Sequence, residues 1–358
     1  MARFCRLLTA ALLATIAGNA LAQSDPDKWR WFEVEVLIFR HQANAGPAEE
    51  FDWQGPGQVT GTTRDLLTPY YAPDFLSFIT ATPPCEPDEN DLLLQEDSLQ
   101  WMCHRPEEVE PTQTLDWYKA DRLLALLQRA PATVIDGAGG NIQTANRPFL
   151  MTAASHELAT MRQQLIQRNV GQPLLHVTYR QPVFNRNRNY QFRLYGGRNY
   201  GHEFLPSGYE VPDPEDQQII PANPLPELLK LTEAGELNFS VKPDATPTPP
   251  LLLSPRAPGE PFESVWELDG ALHIYLVGNY LHIESQLELR DPQLVQFSTT
   301  SLAKQATHAL VNKGPQRFLR RYKMNQLRRV ISHETHYFDH PKLGVIVQIR
   351  RTDLSAKR

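Results

Sequence analysis

The stretch DGALHIYLVGNYLHIESQLELR, residues 269–290, limits the fold more than any other part of the chain. Leu272, Ile274 and Leu276 recur every second residue, and so do Leu281, Ile283, Leu287 and Leu289. A period of two is the signature of a strand with one buried face. The phase slips at Gly278-Asn279, a pair of residue types that favours the two-residue turn of a tight hairpin. The pattern therefore predicts Leu276 opposite Leu281 and Ile274 opposite Ile283. It places His273, Tyr275, His282 and Glu284 on the other face. A single strand carrying a bulge is the alternative.

Other segments extend this reading. WRWFEVEVLIFRH (29–41) is a strand with Phe32, Val34, Val36 and Ile38 on one face and Glu33 and Glu35 on the other. Leu37 and Phe39 make its second half apolar on both faces, so that end should be buried between layers. PLLHVTYRQPV, RFLRRYKMNQLRRVI and LGVIVQIR read as further strands. TLDWYKADRLLALLQRAP (114–131) predicts a helix capped by Thr114, with Leu123, Leu124 and Leu127 in one stripe and Pro131 at its end. SHELATMRQQLIQRNVG predicts a second helix, with Ser155 as N-cap, Leu158, Met161 and Leu165 inward, and Gly171 past its end. Residues 201–263 hold 13 of the 30 prolines and read as a long excursion, with a short helix at PELLKLTEAG. Strands and helices without regular βα alternation predict an α+β fold, mostly antiparallel sheet with packed helices and long loop-rich insertions. The expected organisation is a leader (1–22), an N-terminal part (23–200), the proline-rich excursion (201–263), and a C-terminal β-rich part (264–358) that completes the same domain.

The first 22 residues combine Arg3 and Arg6, an apolar run from Leu7 to about Gly18, and Ala20-Leu21-Ala22. That is the layout of a secretory signal peptide cut after Ala22. The run is too short for a comfortable membrane span, and no later apolar run reaches 18 residues, so no transmembrane segment is expected in the mature chain. Two cysteines remain after cleavage, Cys85 and Cys103, and in an oxidising compartment such a pair is expected to form one disulfide. The net charge is −6, but it is unevenly spread. Residues 86–116 carry ten acids and one base, whereas residues 292–333 carry eight bases and no acid. A basic, acid-free segment attracts anions. For an exported protein the relevant polyanions are lipid head groups and cell-wall peptide carboxylates rather than nucleic acid.

ISHETHYFDHPKLGVIVQIR (331–350) concentrates chemistry-bearing side chains: His333, Glu334, His336, Tyr337, Asp339 and His340 precede Pro341. Three histidines at these spacings would share a helix face and could ligate zinc. Thr335, Tyr337, Phe338 and Pro341 oppose helix there, and no H-E-x-x-H is present. The competing readings are a turn in which Asp339 and the histidines satisfy backbone groups, and a ligand-binding turn. No G-x-S-x-G occurs, and no S-x-x-K is followed by a K-T-G box. GAGGN (137–141) lacks the Lys-Ser/Thr of a phosphate cradle. No cofactor is expected.

Four blocks carry a family resemblance: WFEVEVLIFRH, LLHVTYRQPV, LDGALHIYLVGNYLHIESQLEL and SHETHYFDHPKLGVIVQI. Together they resemble the CsiV family of periplasmic proteins of gram-negative bacteria. The matching positions are His176, Arg180, Gln181 and Pro182 in the second block and Tyr280, Leu281 and His282 in the third. In the last block they are Ser332, Glu334, His336, Tyr337, Asp339, His340, Pro341 and Gly344. Thr335 stands where the family usually has an apolar residue, and His333 is outside its pattern. The resemblance implies a non-enzymatic peptidoglycan-binding accessory protein in the periplasm. It also implies a link to wall synthesis by a class A penicillin-binding protein and its outer-membrane lipoprotein activator. Arginine forks suit stem-peptide carboxylates and aromatic rings suit sugar faces. On that basis Arg317, Arg320, Arg321, Tyr322 and Arg328, with His336, Tyr337 and His340, are the candidate ligand-binding residues. A periplasmic, metal-dependent hydrolase and an envelope scaffold that touches no glycan are the alternatives.

Overall fold

The hairpin forms in the register that its alternation predicts. In a computed structural model, β7 (Trp266–Val277) and β8 (Tyr280–Val295) pair with Leu276 opposite Leu281 and Ile274 opposite Ile283. Gly278 has φ +60° and Asn279 does not share it, as a type II′ turn requires. Tyr275 and His282 stack on the far face, with centroids 5.4 Å apart. The structure describes residues 29–42, 51–57, 62–72, 120–212, 223–237, 263–295 and 315–356, with Ser301, Leu302, Gln305, Ala306 and Leu310. The leader, the acidic run, Cys85 and Cys103 lie outside the described residues.

The fold is mostly β, which corrects the predicted α+β class. One sheet has the order β10 (Thr335–Asp339), β11 (Leu343–Arg351), β1 (Trp31–His41), β4 (Gly171–Pro182), β3 (Phe149–Leu150). The other runs β2 (Thr63–Arg64), β6 (Gln191–Asn199), β7, β8, β9 (Gln316–Val330), with β5 (Phe184–Asn185) attached to β7. The long strands pair antiparallel throughout, whereas the two-residue strands β2 and β5 pair parallel. The described helices include α1 (Leu67–Tyr71), α2 (Ala120–Leu126), α3 (Ala159–Gln167) and α4 (Leu225–Glu233). At 1.5 Å per residue the longest spans roughly 14 Å, too little to roof a five-stranded sheet. Each sheet therefore covers the other. Val34, Val36, Val177, Val345 and Val347 from the first meet Leu272, Ile274, Ile283, Leu287 and Met324 from the second in one buried cluster.

The second face of β1 is buried from Trp31 to Phe39, not at one end only. Leu37 and Phe39 pack with Leu158, Leu165 and Ile346 beneath α3. Glu33 and Glu35, predicted to face outward, are 8% and 0% exposed. The family-motif glycine has a packing reason here. A Cβ on Gly344 would sit 2.2 Å from the ring of Phe39, which also lies against Gly171.

Both predicted helices end before their sequence patterns do. α2 ends at Leu126, well before Pro131, and the positions N-terminal to it, Thr114 included, lie outside the described residues. α3 starts at Ala159; Ser155 is not its cap but closes a 3-10 turn, Ala153–Ser155, with its hydroxyl donating to Thr152. At the other end Asn169, φ +54°, takes the left-handed position assigned to Gly171. Asn169 N–H bonds Ile166 C=O and Val170 N–H bonds Leu165 C=O, a Schellman pattern. Gly171 already belongs to β4. The short helix predicted within PELLKLTEAG is present as α4.

Candidate functional site

The candidate residues of the closing block do not converge. β10 is extended, so its side chains alternate. His336 turns back, its Nε2 3.1 Å from both the N–H and the C=O of Ile331. Tyr337 donates to Asp339 at 2.7 Å, lies 3.3 Å from His41 Nε2 and stacks on Phe39. Burial and the neighbouring Asp339 carboxylate push its hydroxyl pKa up. Asp339 thus engages Tyr337 and not the turn. It is His340 whose Nδ1 accepts the Lys342 N–H, 3.2 Å away, so of the residues expected to satisfy backbone at this turn the histidine does so. His333, at φ +69°, accepts from the Arg351 N–H, and Glu334 and Pro341 are exposed. Among the described residues no three His, Cys, Asp or Glu side chains are grouped to hold a metal ion.

The arginines of the basic strand β9 divide into those paired with carboxylates or side-chain amides and those held by backbone carbonyls and rings. Arg317 bridges Glu203 at 2.6 Å and Glu210 at 2.8 Å. Arg321 donates to Gln54 and lies 3.9 Å from Glu288. Both fasten neighbouring loops to the sheet edge. Arg328 donates to Tyr337 C=O at 2.8 Å and rests 5.0 Å from the Phe338 ring, closing the edge of β10. Arg320 differs. Its cross-strand neighbour is Asp291, but that carboxylate is held by Arg40 at 2.6 Å. Arg320 instead lies 4.2 Å over Trp53 and 5.4 Å over Tyr322, with Nε donating to Asp52 C=O. Lys342 approaches the same Tyr322 ring at 5.6 Å, and Phe51 bridges Tyr322 and His340 at centroid distances of 5.2 and 5.4 Å.

Arg320, Lys342, Trp53, Phe51, Tyr322 and His340 therefore form one half-buried, aromatic-floored cationic patch where β9 meets the β10–β11 turn. Among the described residues neither cation has a carboxylate within ion-pair distance. Two positive charges held over rings, with no carboxylate within ion-pair distance among the described residues, can receive an external anion, and the rings can take an apolar or sugar face. Arg320, Tyr322 and His340 were legible as candidates. Phe51, Trp53 and Lys342 were missed, because nothing local ties a loop near residue 52 to a strand near residue 320. The signal that could have found them is the aromatic pair itself, set in a polar loop without periodicity.

The family-motif residues of β4 build structure. His176 is fully buried on the α3 side. Its Nδ1 lies 3.0 Å from Arg162, which can only donate, so Nε2 carries the hydrogen that Glu35 accepts at 2.8 Å. Glu35 also receives Arg350 and the backbone N–H groups of Glu157 and Leu158, which lead into α3. Arg180 and Arg350 share Glu33 at 2.7 and 2.9 Å. Gln181 is buried on the inter-sheet face, and its amide has no partner among the described residues. In the hairpin, Tyr280 is 58% exposed beneath Arg329, and His282 stacks on Tyr275.

His156 makes this network pH-sensitive. Its ring lies 4.2 Å from His176, and its Nε2 is buried without a partner among the described residues. Burial first, and then His176, lower its pKa to about 4 against the attraction of Glu35; Arg162 and Arg350 add to the lowering. The unfolded chain takes up this proton below its ordinary pKa of 6.5, the folded protein only near 4. Stability is therefore complete above pH 6.5 and falls as pH drops towards 4. Thermal melts across that window should show this decline in the wild type, and His156→Gln should lose that part of it. Parallel curves for the two proteins would refute the assignment.

No helix among the described residues is long and apolar enough to cross a membrane. A family model described as peptidoglycan-binding protein, CsiV, matches residues 7–352. No curated protein and no solved structure matches the chain.

Proposed function

The chain belongs to the CsiV family of peptidoglycan-binding proteins, and from that premise we propose a non-enzymatic periplasmic protein that holds the cell wall at the Arg320–Lys342 patch. Ionised stem-peptide carboxylates meet the two cations, and a sugar or apolar face lies against Trp53. Arg320 supports this reading most directly. It is positioned 4.2 Å over an aromatic ring while its natural counter-ion, Asp291, is occupied by Arg40. Support for wall synthesis by a class A penicillin-binding protein and its outer-membrane lipoprotein activator belongs to the same proposal, as do export through the 22-residue leader and a Cys85–Cys103 disulfide.

Sedimentation with purified sacculi tests the patch. Arg320→Gln with Lys342→Gln should weaken retention at least tenfold, and raised salt should weaken the wild type in the same direction. Arg317→Gln serves as the control. Its ion pairs with Glu203 and Glu210 are half-exposed and worth about 1 kcal/mol or less, so that variant should bind normally. Undiminished retention by the double variant would remove the proposed site while leaving family membership untouched.

A further inference from the structure

Among the described residues β9 is the end strand of its sheet, and β8 is its ladder partner. Its direction of pairing can be read from its own bonds. Leu319 N–H reaches Gly208 C=O and Arg321 N–H reaches Gln54 C=O, both off the sheet. Gln326 N–H meets Ser285 Oγ on the β8 side. Odd-numbered residues thus turn their backbone groups outward. Over Leu319 and Arg321 the loops near 54 and 208 cover that edge, and Tyr209 forms a bridge with Phe318. Over Lys323, Asn325, Leu327 and Arg329, no described segment does.

The matching edge of the other sheet is treated differently. On β10 the carbonyls of Tyr337 and Asp339 are taken by the side chains of Arg328 and Gln326. Lys323–Arg329 is thus a seven-residue backbone edge that the described fold leaves open. Its outward residues are all exposed, Leu327 by 54%. Two of the four are cations, and the chain from 292 to 333 holds no acid.

We propose that this edge is a docking site for an extended acidic segment of another protein, which adds to the sheet as a strand beside β9. Strand addition draws affinity from main-chain hydrogen bonds and specificity from alternate side chains. The residues opposite Lys323 and Arg329 are six apart, and both should be Asp or Glu. The residue opposite Leu327, two positions from one of those acids, should be apolar. Cross-strand neighbours of opposite charge stabilise such a pair, and like charges oppose it. A second copy of this chain would bring Lys323 and Arg329 against the same cations, so the edge excludes self-pairing while it selects an acidic partner.

The test uses the full mature protein and nine-residue synthetic peptides carrying two acids six positions apart with leucine two from one of them. Matched peptides with lysine at the acidic positions are the comparison, and fluorescence anisotropy the readout. Acidic peptides should bind at least tenfold tighter than basic ones, and Lys323→Glu with Arg329→Glu should invert that preference. Asn325→Pro removes one outward N–H and no bond within the described fold, a change edge strands tolerate. It should abolish peptide binding while leaving the melting temperature and sacculus retention unchanged. Retained peptide binding in a folded Asn325→Pro protein, absence of binding to any acidic peptide at 1 mM, or dimerisation through this edge would each overturn the proposal. Because the Arg320–Lys342 patch and this edge use different residues, failure here and failure of sacculus binding are read independently.

Discussion

Glu35→Ala should cost about 3–5 kcal/mol and shift the denaturation midpoint more than any other single change considered for this protein. The carboxylate is fully buried and accepts from Arg350, His176 Nε2 and the N–H groups of Glu157 and Leu158. Burial alone would raise its pKa. The hydrogen bonds from His176, Arg350 and Leu158 outweigh it and hold the group at about 2. Removing the carboxylate leaves a buried guanidinium half-neutralised and two backbone donors without an acceptor. Glu35→Gln should be nearly as harmful, because its amide presents hydrogens to groups that already donate. The double variant Glu35→Leu with Arg350→Met should be milder than the sum of the single changes, since no charge is then left orphaned. In the wild type this contribution is complete above pH 4.5, the ordinary value, and fades as pH falls towards 2. Urea denaturation at pH 7 and pH 3 checks both statements. A Glu35→Ala loss below about 1 kcal/mol would show that the network is not a principal tie between α3 and the sheet.

Asn199→Ala should destabilise by about 3 kcal/mol for a different reason, the orphaning of backbone groups. Asn199 is 2% exposed. Its Nδ2 faces the carbonyls of Leu127, Ala125 and Leu124 at 2.8, 3.2 and 3.4 Å, closing the C-terminus of α2. Its Oδ1 accepts the N–H groups of Gly201 and Val265 at 3.0 and 2.9 Å. One amide thus ties a helix end, a turn and the start of β7. Asn199→Asp preserves the acceptor but turns a negative charge towards the negative end of a helix. At pH 7 it should be at least as damaging as alanine, and it should recover part of the loss near pH 4, where a protonated carboxyl donates again. Differential scanning calorimetry at the two pH values separates these outcomes. An unchanged melting temperature in Asn199→Ala would refute the assignment.

The candidate residues show how little a list says about which of them share a site. Arg317, Arg320, Arg321 and Arg328 are indistinguishable as sequence, four cations in one strand. Their partners separate them: Glu203 and Glu210 for Arg317, Gln54 for Arg321, a β10 carbonyl for Arg328, and an aromatic ring for Arg320. Each partner lies on an element that strand periodicity does not connect to β9. The same holds for His336, His340 and Tyr337, adjacent in the chain but turned to Ile331, Phe51 and His41.

What the amino-acid order determined alone was local. The two-residue alternation and its slip at Gly278-Asn279 set a hairpin register, because side-chain direction in a strand reverses with every residue. The tertiary structure decided the rest. It set β1 between β4 and β11, so that Glu35 meets His176 and Arg350. It covered one sheet with another instead of with helices, and it brought Trp53 under Arg320. The reason is that burial rewards apolar area without regard to which segment supplies it, whereas a buried charge or amide requires one partner in one place. Periodicity reports the first requirement, and only the folded chain shows how the second is met.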